Sequence, residues 1–434
     1  MKPVKIGICG LGTVGSGTFN VISRNLRDIN ARAGCEIIIE QVGARRDNPD
    51  CDTSGVNVSR DIFAVVDNAE IDIVVELIGG TGVAKELVLK ALENGKHVVT
   101  ANKALIAEFG NEIFAKAKEK GVTVAFEAAV AGGIPIIKAI REGLAANKIE
   151  WVAGIINGTG NFILTEMRDK GREFADVLKE AQELGYAEAD PTFDVEGIDA
   201  AHKLVILASL AFGMPLQFDK VFTEGISNIA PEDVSYAEEL GYRIKHLGIA
   251  RRSANGIELR VHPTMIPEKR LIANVEGVMN AVLVKGDAVG PTLYYGPGAG
   301  AEPTASAVIA DIVDLARTLT ADPEHRVAHL GFQPDTLAQQ KILAIEEVET
   351  AYYLRMSADD KPGVLSKVAT ILSDGGISIE ALIQKEPGEG ETRVPLILLT
   401  NRAVEKQLLE SASKIEALDE IQGPVSHVRV ESLD

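Results

Sequence analysis

The first 130 residues alternate short apolar runs with amphipathic stretches. The apolar runs are typical of parallel strands covered on both faces, and the stretches between them repeat apolar residues at helical spacing. The predicted strands are Val4–Cys9, Glu36–Val42, Ile71–Ile78, His97–Thr100 and Val122–Glu127. The predicted helices are Ser16–Ala31, the segment with Val83, Leu87, Val88 and Leu92, and Ala104–Lys120. This alternation predicts an α/β domain with a parallel sheet over residues 1–134.

Beyond Ile134 helices and strands are mixed. The predicted helices are Pro135–Ala146, Phe174–Leu184 and Asp199–Ala211; the predicted strands are Trp151–Ile156, Ile257–Thr264 and Ala281–Gly286; a turn is predicted at Asn157–Asn161. The pattern predicts an α+β domain with an open sheet over residues 135–303. The helical segment 304–320 is expected to pack back onto the first domain.

The carboxy-terminal part has a pattern of its own. Residues 321–348 contain Pro334 and polar residues and are predicted to be a linker. Over residues 349–434 the predicted order is strand Thr350–Ser357, helix Val364–Asp374, strand Ile377–Gln384, strand Thr392–Thr400, helix Ala403–Leu418 and strand Val425–Glu431. The order β-α-β-β-α-β predicts a ferredoxin-like domain.

Composition and charge exclude several kinds of protein. The 434 residues are 46% hydrophobic and 25% charged, as in ordinary folded proteins. The formal charge of −19 argues against nucleic acids and anionic membranes as partners, which leaves a small metabolite. Cys9, Cys35 and Cys51 lack metal-ligand spacing, and neither a signal peptide nor a membrane span is predicted. The cytoplasm is therefore the expected location.

A glycine turn follows the first predicted strand. Gly10, Gly12 and Gly15 form the pattern G-x-G-x-x-G between a strand and a helix. Glycine permits the tight turn, the approach of a pyrophosphate and close packing of the helix. The first domain is therefore predicted to be a Rossmann-type dinucleotide-binding domain, with Thr13 and Val14 at the phosphate-binding helix terminus.

The end of the second predicted strand bears on the choice of cofactor. An acidic residue that would bind the ribose 2′-hydroxyl has no clean match, and the strand leads into Arg45 and Arg46. Two arginines there favour a 2′-phosphate, so NADP(H) is preferred. NAD(H) stays open, because Glu40 lies close by and the arginines could also be a solvated surface pair.

A second cluster of candidate residues runs from Ala181 to Lys203. Asp199 and Lys203 are four residues apart and share one helix face next to an apolar stretch. On a solvated face the pair would be a surface salt bridge worth less than about 1 kcal/mol. On a buried face the ammonium needs a partner or a chemical role, because unpaired charge is costly inside a protein.

Several segments resemble the homoserine dehydrogenase family. Residues 181–203 match the signature of that family along their whole length, and Thr100–Lys103, Asn157–Thr159 and Gly298–Val308 are also similar. In the tail, Asp359–Leu365 resembles the ACT regulatory domain that several members carry. Because no aspartokinase region precedes residue 1, the form of the family without that region is expected.

The resemblance implies an activity and a set of roles. The activity is the NAD(P)H-dependent interconversion of L-aspartate 4-semialdehyde and L-homoserine, on the route to threonine, methionine and isoleucine. Lys203 and Lys103 are the implied catalytic residues, which protonate or polarise the developing alkoxide. The implied substrate-binding residues are Glu188, Asp199, Asp194 and Gly185, and the implied cofactor contacts beyond the glycine turn and the two arginines are Lys103 and Gly300.

The resemblance also implies an ion, an effector and an assembly. A sodium ion is expected after the fifth strand, bound by Glu127 and by oxygens of Val130, Gly132 and Ile134, although a plain interdomain hinge has a similar composition. The ACT-like tail is expected to sense threonine, so deletion of residues 350–434 should remove that sensitivity and spare the chemistry. A homodimer or homotetramer is expected.

Two other classes of function compete with this interpretation. A dinucleotide- and amino-acid-sensing regulatory protein without turnover would keep the same domains but would not need paired lysines. A dehydrogenase that forms the semialdehyde through a thioester needs a nucleophilic cysteine, and no cysteine follows Cys51. His202 is expected to be a packing or surface residue rather than a ligand.

Overall fold

The computed structural model describes residues 3–319, 322, 326–385 and 392–434. The chain forms two compact units. Unit 1 contains the residues up to Gly158, Asp199–Val221 and Val278–Gln340, and unit 2 contains Thr159–Ile198, Phe222–Gly277 and Lys341–Asp434. Residues 135–303, predicted as one domain, thus contribute to both units. Within the described residues, no helix is long and apolar enough to cross a membrane.

The strands and helices are numbered along the chain. The strands are β1 (Val4–Cys9), β2 (Ile37–Gly43), β3 (Asn57–Ser59), β4 (Ile73–Glu76), β5 (His97–Thr100), β6 (Val124–Ala125), β7 (Ile149–Ile155), β8 (Phe222–Thr223), β9 (Tyr242–Arg252), β10 (Ile257–Pro267), β11 (Met279–Gly286), β12 (Gly290–Pro297), β13 (Glu349–Asp359), β14 (Ile379–Gln384), β15 (Arg393–Thr400), β16 (Ala403–Val404) and β17 (Ile421–Val430). The helices are α1 (Thr13–Ala33), α2 (Phe63–Asp67), α3 (Gly82–Glu93), α4 (Lys103–Glu119), α5 (Ile136–Lys138), α6 (Gly158–Lys170), α7 (Phe174–Glu183), α8 (Thr192–Val195), α9 (Ile198–Phe212), α10 (Pro231–Glu239), α11 (Ala301–Thr318), α12 (Val364–Asp374) and α13 (Glu405–Glu416).

Unit 1 contains a parallel sheet with the strand order β3-β2-β1-β4-β5-β6. This order reverses between β1 and β4, and in such sheets ligands bind at the carboxyl ends of the strands beside that point. The predicted Rossmann-type sheet is confirmed. The short strand β3 was not predicted, because three residues carry too little of an apolar pattern.

Helix α11 packs against α1 in unit 1. Val308 and Ile312 of α11 share a buried core with Phe19 and Ile22 of α1 and with Ile8 of β1. The same unit contains the antiparallel strands β7, β11 and β12.

Unit 2 joins the carboxy-terminal domain to a hairpin from the middle of the chain. Strands β9 and β10 are antiparallel, and β10 pairs in parallel with β17, with Thr264 opposite Arg429. Strand β17 also pairs with β13, which continues through β15 to β14. The order β13-α12-β14-β15-α13-β17 confirms the predicted ferredoxin-like domain. The last strand of this domain, β17, therefore pairs with β10 on one side and with β13 on the other.

Both faces of this sheet are covered within unit 2. Helices α12 and α13 pack on one face, around Tyr352, Leu354 and Leu398. On the other face, Tyr353 and Val428 share a core with residues of α6, α7 and α10. The carboxy-terminal sheet is thus part of the core of unit 2.

Local structure differs from the predictions at several places. The predicted helix Pro135–Ala146 is the short α5 followed by a π-helical turn, Ala139–Gly143. The predicted turn Asn157–Asn161 contains the beginning of α6, since packing overrides the weak helix propensity of its glycines. Strand β9 was missed because Lys245 and His246, which are polar, are buried in it.

Candidate functional site

Glycine is required at one position in the turn between β1 and α1 and at one position in the first turn of α1. Gly10 has a φ of +105°, and a β-carbon there would lie 2.6 Å from the carbonyl oxygen of Leu77. A β-carbon at Gly15 would lie 2.1 Å from the carbonyl oxygen of Gly10. At Gly12 a β-carbon would meet no described atom within 4 Å, so there is space for a phosphate before the helix amides. The first residues of α1 are Thr13 and Val14.

A buried glutamate joins the carboxyl ends of β4 and β5. Glu76 accepts hydrogen bonds from the amides of Ile78 and Gly79 at 2.9 and 3.1 Å. Its Oε2 accepts from Thr100 Oγ1 at 2.6 Å. Burial raises the pKa of this carboxyl. The Glu76 carboxylate, the two amides and the Thr100 hydroxyl together fix the loop after β4. This loop lies beside the point where the strand order reverses.

Asn102 places Lys103 at the beginning of α4. The Oδ1 atom of Asn102 accepts from the amide of Leu105 at 3.1 Å, which is an N-cap bond. Its Nδ2 atom donates to the carbonyl oxygen of Gly80 at 2.6 Å. Because the cap fixes the first turn of α4, Lys103 is held at the carboxyl edge of the sheet.

Asp199 lies between two lysines in unit 1. Its Oδ1 is 3.1 Å from Lys103 Nζ, and its Oδ2 is 2.7 Å from Lys203 Nζ. Asn157 Nδ2 donates to Oδ2 at 2.9 Å, and Lys203 Nζ also donates to the carbonyl oxygen of Ile156 at 2.7 Å. The Asp199 side chain is 5% exposed. The pair of Asp199 and Lys203 is therefore buried, and it is not a solvated surface salt bridge.

The charges in this lysine–aspartate cluster are unequal. Burial opposes ionisation of Asp199, but Lys203 and Lys103 outweigh it and hold the pKa of the carboxyl well below its ordinary value. One carboxylate thus faces two ammonium groups. The cluster is suited to hold a negative charge that develops on a bound oxygen.

His202 packs beside the cluster. Its ring stacks on Phe218 with 4.1 Å between the centroids, and its Nε2 lies 3.2 Å from Glu108 Oε1. Burial lowers the pKa of His202, so the neutral ring is favoured.

The remaining candidate cofactor contacts lie at two chain segments of unit 1. Arg45 and Arg46 follow β2 after one residue, Ala44, and are exposed. Gly300 precedes α11 with a φ of +123°. Close by, a β-carbon at Gly17 would lie 2.5 Å from the carbonyl oxygen of Ala301, so α1 and the beginning of α11 approach closely.

Glu127 is buried after β6 and accepts two backbone hydrogen bonds. Its carboxylate oxygens accept from the amides of Ile137 and Lys138 at 2.9 and 2.8 Å. Its own amide donates to Asp311 Oδ2 at 2.7 Å. The pKa of Glu127 is raised to about 7, mainly because the side chain is buried and secondly because the Asp311 carboxylate is close.

The predicted sodium-binding turn follows Glu127. The amide of Val130 donates to the carbonyl oxygen of Glu127 at 3.4 Å, and that of Ile134 donates to Ala131 at 2.9 Å. Gly132 has a φ of +44°, which favours glycine. Over residues 3–319, 322, 326–385 and 392–434, no three His, Cys, Asp or Glu side chains are grouped to hold a metal.

The other predicted substrate-binding residues lie in unit 2, in and around the connection from α7 to α8. Gly185 follows α7 with a φ of +75°. Glu188 is exposed, and its carbonyl oxygen accepts from Gln182 Nε2 at 3.1 Å. Asp194 is half-buried in α8, where its amide donates to the carbonyl oxygen of Pro191 at 2.9 Å.

The sequence patterns predict no role for Glu76, Asn102 or Asn157. Glu76 could have been noticed as a charged residue at the carboxyl end of an apolar strand. The bonds of Asn102 and Asn157 depend on groups from other segments, which no local pattern reveals.

The fold and the lysine–aspartate cluster define a class of enzyme, the NAD(P)-dependent oxidoreductases. Family models match residues 10–127 (homoserine dehydrogenase, NAD binding domain), 135–313 (homoserine dehydrogenase) and 352–417 (ACT domain). A homoserine dehydrogenase from Pseudomonas aeruginosa is 68% identical over 434 residues, which is 100% of both chains. The chain belongs to the homoserine dehydrogenase family.

Further relatives and solved structures agree. A homoserine dehydrogenase from Neisseria gonorrhoeae is 57% identical and covers 100% of both chains. The crystal structure of one from Thiobacillus denitrificans matches with a TM-score of 0.94 and 64% identity, over 100% of this chain and 99% of that one. A hyperthermophilic archaeal homoserine dehydrogenase in complex with NADPH matches with a TM-score of 0.61 and 28% identity, over 74% of this chain and 98% of that one. The chain is an oxidoreductase that acts on a CH–OH group, and the alternative of a sensing protein without turnover is set aside.

Proposed function

We propose that this chain reversibly reduces L-aspartate 4-semialdehyde to L-homoserine, with NADP(H) as the preferred cofactor. The observation that carries the proposal is the buried Asp199, which pairs with both Lys103 and Lys203 in the unit that contains the glycine turn. In a cell the reaction would serve the synthesis of threonine, methionine and isoleucine. The cytoplasm is the proposed location, where Cys9, Cys35 and Cys51 would stay as free thiols.

The roles follow from the charges of the cluster. The nicotinamide, when bound, supplies or accepts the hydride at the substrate carbon. Lys203 donates the proton to the substrate oxygen, and Lys103 adds positive charge beside that oxygen. Asp199 holds both ammonium groups in place and leaves one net positive charge for the alkoxide. Glu188 and Asp199, with Asp194 and Gly185 close by, bind the substrate ammonium and hydroxyl region.

The reaction is tested in the direction of homoserine oxidation. Purified protein is mixed with NADP⁺ and L-homoserine, and NADPH formation is followed by absorbance, with L-serine and L-threonine as matched amino alcohols. We expect turnover with homoserine far above that with the other two. Folded protein that binds NADPH but oxidises none of the three would refute the proposal.

Cofactor preference rests on the arginines after β2. A ribose 2′-phosphate would meet Arg45 and Arg46, which are exposed beside the strand that pairs with β1. The NADPH named for the archaeal relative agrees with this proposal.

A sodium ion is proposed to bind Glu127 and the carbonyl oxygens of Val130, Gly132 and Ile134. Supporting this, Glu127 and Asp311 are both buried carboxyls whose pKa values are raised by burial. A bound cation with oxygen ligands would lower the cost of ionising them.

The ACT domain is proposed to bind threonine at the turn after β13 and so to inhibit the enzyme. Gly363 in this turn has a φ of +94°, and Asp360 is exposed and able to pair with an amino-acid ammonium. Asp360→Ala should weaken inhibition by threonine, whereas Asp374→Ala, an exposed aspartate at the end of α12, should not. Equal inhibition of both variants would contradict this site.

We also propose a homodimer or homotetramer. Tyr295 on β12 is exposed over more than half of its surface. Val289, which directly precedes β12, is also exposed over more than half of its surface. Exposed apolar residues along an edge strand are typical of interfaces between subunits. Light scattering on the eluted protein gives the mass directly, and a monomer would refute the assembly.

A further inference from the structure

Arg429, a buried residue of β17, links helix α13 to the segment that follows β8. Its side chain is 2% exposed. Arg429 Nε donates to Glu405 Oε2 at 2.9 Å, Nη2 pairs with the other oxygen of Glu405, and Nη1 donates to Glu224 Oε2 at 2.6 Å. Tyr352 Oη donates to Glu405 at 2.6 Å. The guanidinium is thus anchored on the carboxy-terminal domain by two bonds and reaches Glu224 with a third.

The segment that begins with Glu224 lies directly against the turn that carries Asp194. We call residues Asp194–Gly197 the acidic turn. The amide of Ile226 donates to the carbonyl oxygen of Val195 at 2.9 Å. A β-carbon at Gly225 would lie 2.8 Å from the same oxygen, so the two backbones approach as closely as glycine allows. A displacement of Glu224 would therefore be transmitted to the acidic turn.

Side chains reinforce this contact. Ser227 Oγ donates to Glu196 Oε1 at 2.6 Å. Gly197 has a φ of +83°, and a β-carbon there would lie 3.2 Å from the ring of His246. His246 Nε2 lies 3.0 Å from the carbonyl oxygen of Glu224. The acidic turn is thus held at Val195, Glu196 and Gly197, next to Asp194, by groups that depend on the position of Glu224.

We propose that Arg429 is a positioning residue for substrate binding, which sets the acidic turn through Glu224. The inference rests on the proposed function, which assigns Asp194 to the substrate site. Binding groups must be held to well under 1 Å for a productive complex, so a loosened turn weakens substrate binding before it harms the chemistry. The carboxy-terminal domain then contributes to the substrate site in every turnover, with or without an effector.

The test compares three variants of the full chain. Glu224→Gln keeps the shape but weakens the bond to Arg429, and Arg429→Lys keeps the charge but loses the three-way geometry. Arg251→Lys is the matched control, because Arg251 also pairs with the carboxy-terminal segment, at 2.7 Å from Glu431. We expect KM for homoserine to rise about tenfold in Glu224→Gln and Arg429→Lys, with kcat and KM for NADP⁺ within about threefold. The control should keep KM for homoserine.

A second readout does not depend on turnover. Phe193, beside the acidic turn, is exposed and is a site for chymotrypsin. We expect faster cleavage after Phe193 in Glu224→Gln and Arg429→Lys than in the wild type or Arg251→Lys. Variants with a lower thermal midpoint but an unchanged KM and cleavage rate would reduce Arg429 to a structural role and overturn the inference. Absence of homoserine oxidation by the wild type would instead refute the proposed function.

Discussion

Lys103 and Lys203 pair with opposite oxygens of one carboxylate, that of Asp199, at 3.1 and 2.7 Å. Lys203 comes from the same helix as Asp199, whereas Lys103 begins α4. Each ammonium is thereby fixed by a different element, and the carboxylate neutralises only one of the two positive charges. This imbalance is the electrostatic basis of the predictions on catalysis.

Lys203→Ala should lower kcat for homoserine oxidation by about 10²- to 10⁴-fold, because general acid–base catalysis contributes that much. Affinity for NADPH, measured by fluorescence titration, should change by less than about threefold. Lys220→Ala is the control, since Lys220 is exposed and belongs to the same unit. A kcat close to wild type in Lys203→Ala would show that this lysine does not move the proton.

Asp199→Asn should destabilise the protein at neutral pH by about 3–5 kcal/mol, because it removes the carboxylate from the buried pair of Asp199 and Lys203 and leaves that ammonium without its counter-charge. The pKa of Asp199 is depressed in the folded state, so its contribution is complete above the unfolded pKa of about 4 and is lost as the pH falls below it. The difference in thermal midpoint between wild type and variant should be constant from about pH 6 to 8 and shrink below about pH 4. A difference that grows on acidification would contradict the depressed pKa.

Substitution of the arginines after β2 should affect the cofactors differently. Arg45→Ala and Arg46→Ala should each raise KM for NADP⁺ about tenfold, as expected for loss of a bond to a charged group worth about 1.5 kcal/mol. KM for NAD⁺ should stay within about twofold. Arg27→Ala, an exposed arginine on α1, is the control. Equal changes for both cofactors would exclude contact with a 2′-phosphate.

Sodium should stabilise the wild type. Replacing choline chloride with sodium chloride at equal ionic strength should raise the free energy of unfolding by about 1–3 kcal/mol, because an ion that binds only the folded state stabilises it. Glu127→Gln should abolish this effect, and Glu142→Gln, an exposed carboxylate nearby in the sequence, should retain it. A sodium effect of the same size in Glu127→Gln would place the ion elsewhere or exclude it.

Deletion of residues 350–434 should disrupt unit 2, in contrast to the sequence-based expectation that it spares the chemistry. The deletion removes β17 from beside β10 and removes Glu431, which pairs with the buried Arg260. It also strips Tyr353 and Val428 from the core shared with α6, α7 and α10. We expect aggregation or a broad thermal transition by circular dichroism. A truncated chain that elutes as one species and turns over homoserine would contradict this prediction.

The structural features that were predicted correctly are those that depend on residues close together in the sequence. The glycine turn, the alternation of strands and helices, and the pairing of Asp199 with Lys203 four residues later all follow from short spacings. The pairing of Lys103 with Asp199 and that of Arg429 with Glu224 join distant segments, so spacing alone could not predict them. Strand β9 was hidden for another reason. Lys245 is buried there, its Nζ donates to the carbonyl oxygen of Val275 at 2.6 Å, and burial lowers its pKa to about 7.

The double pairing of β17 also has a consequence for synthesis of the chain. Arg260 on β10 and Glu431, which directly follows β17, are 171 residues apart in the chain. On a ribosome, β10 is made long before β17, and the part of its edge at Thr264 and Met265, where β17 pairs, stays open in the meantime. Pairings of such long range also close slowly. Newly made chains should therefore depend on chaperones until their last strand emerges.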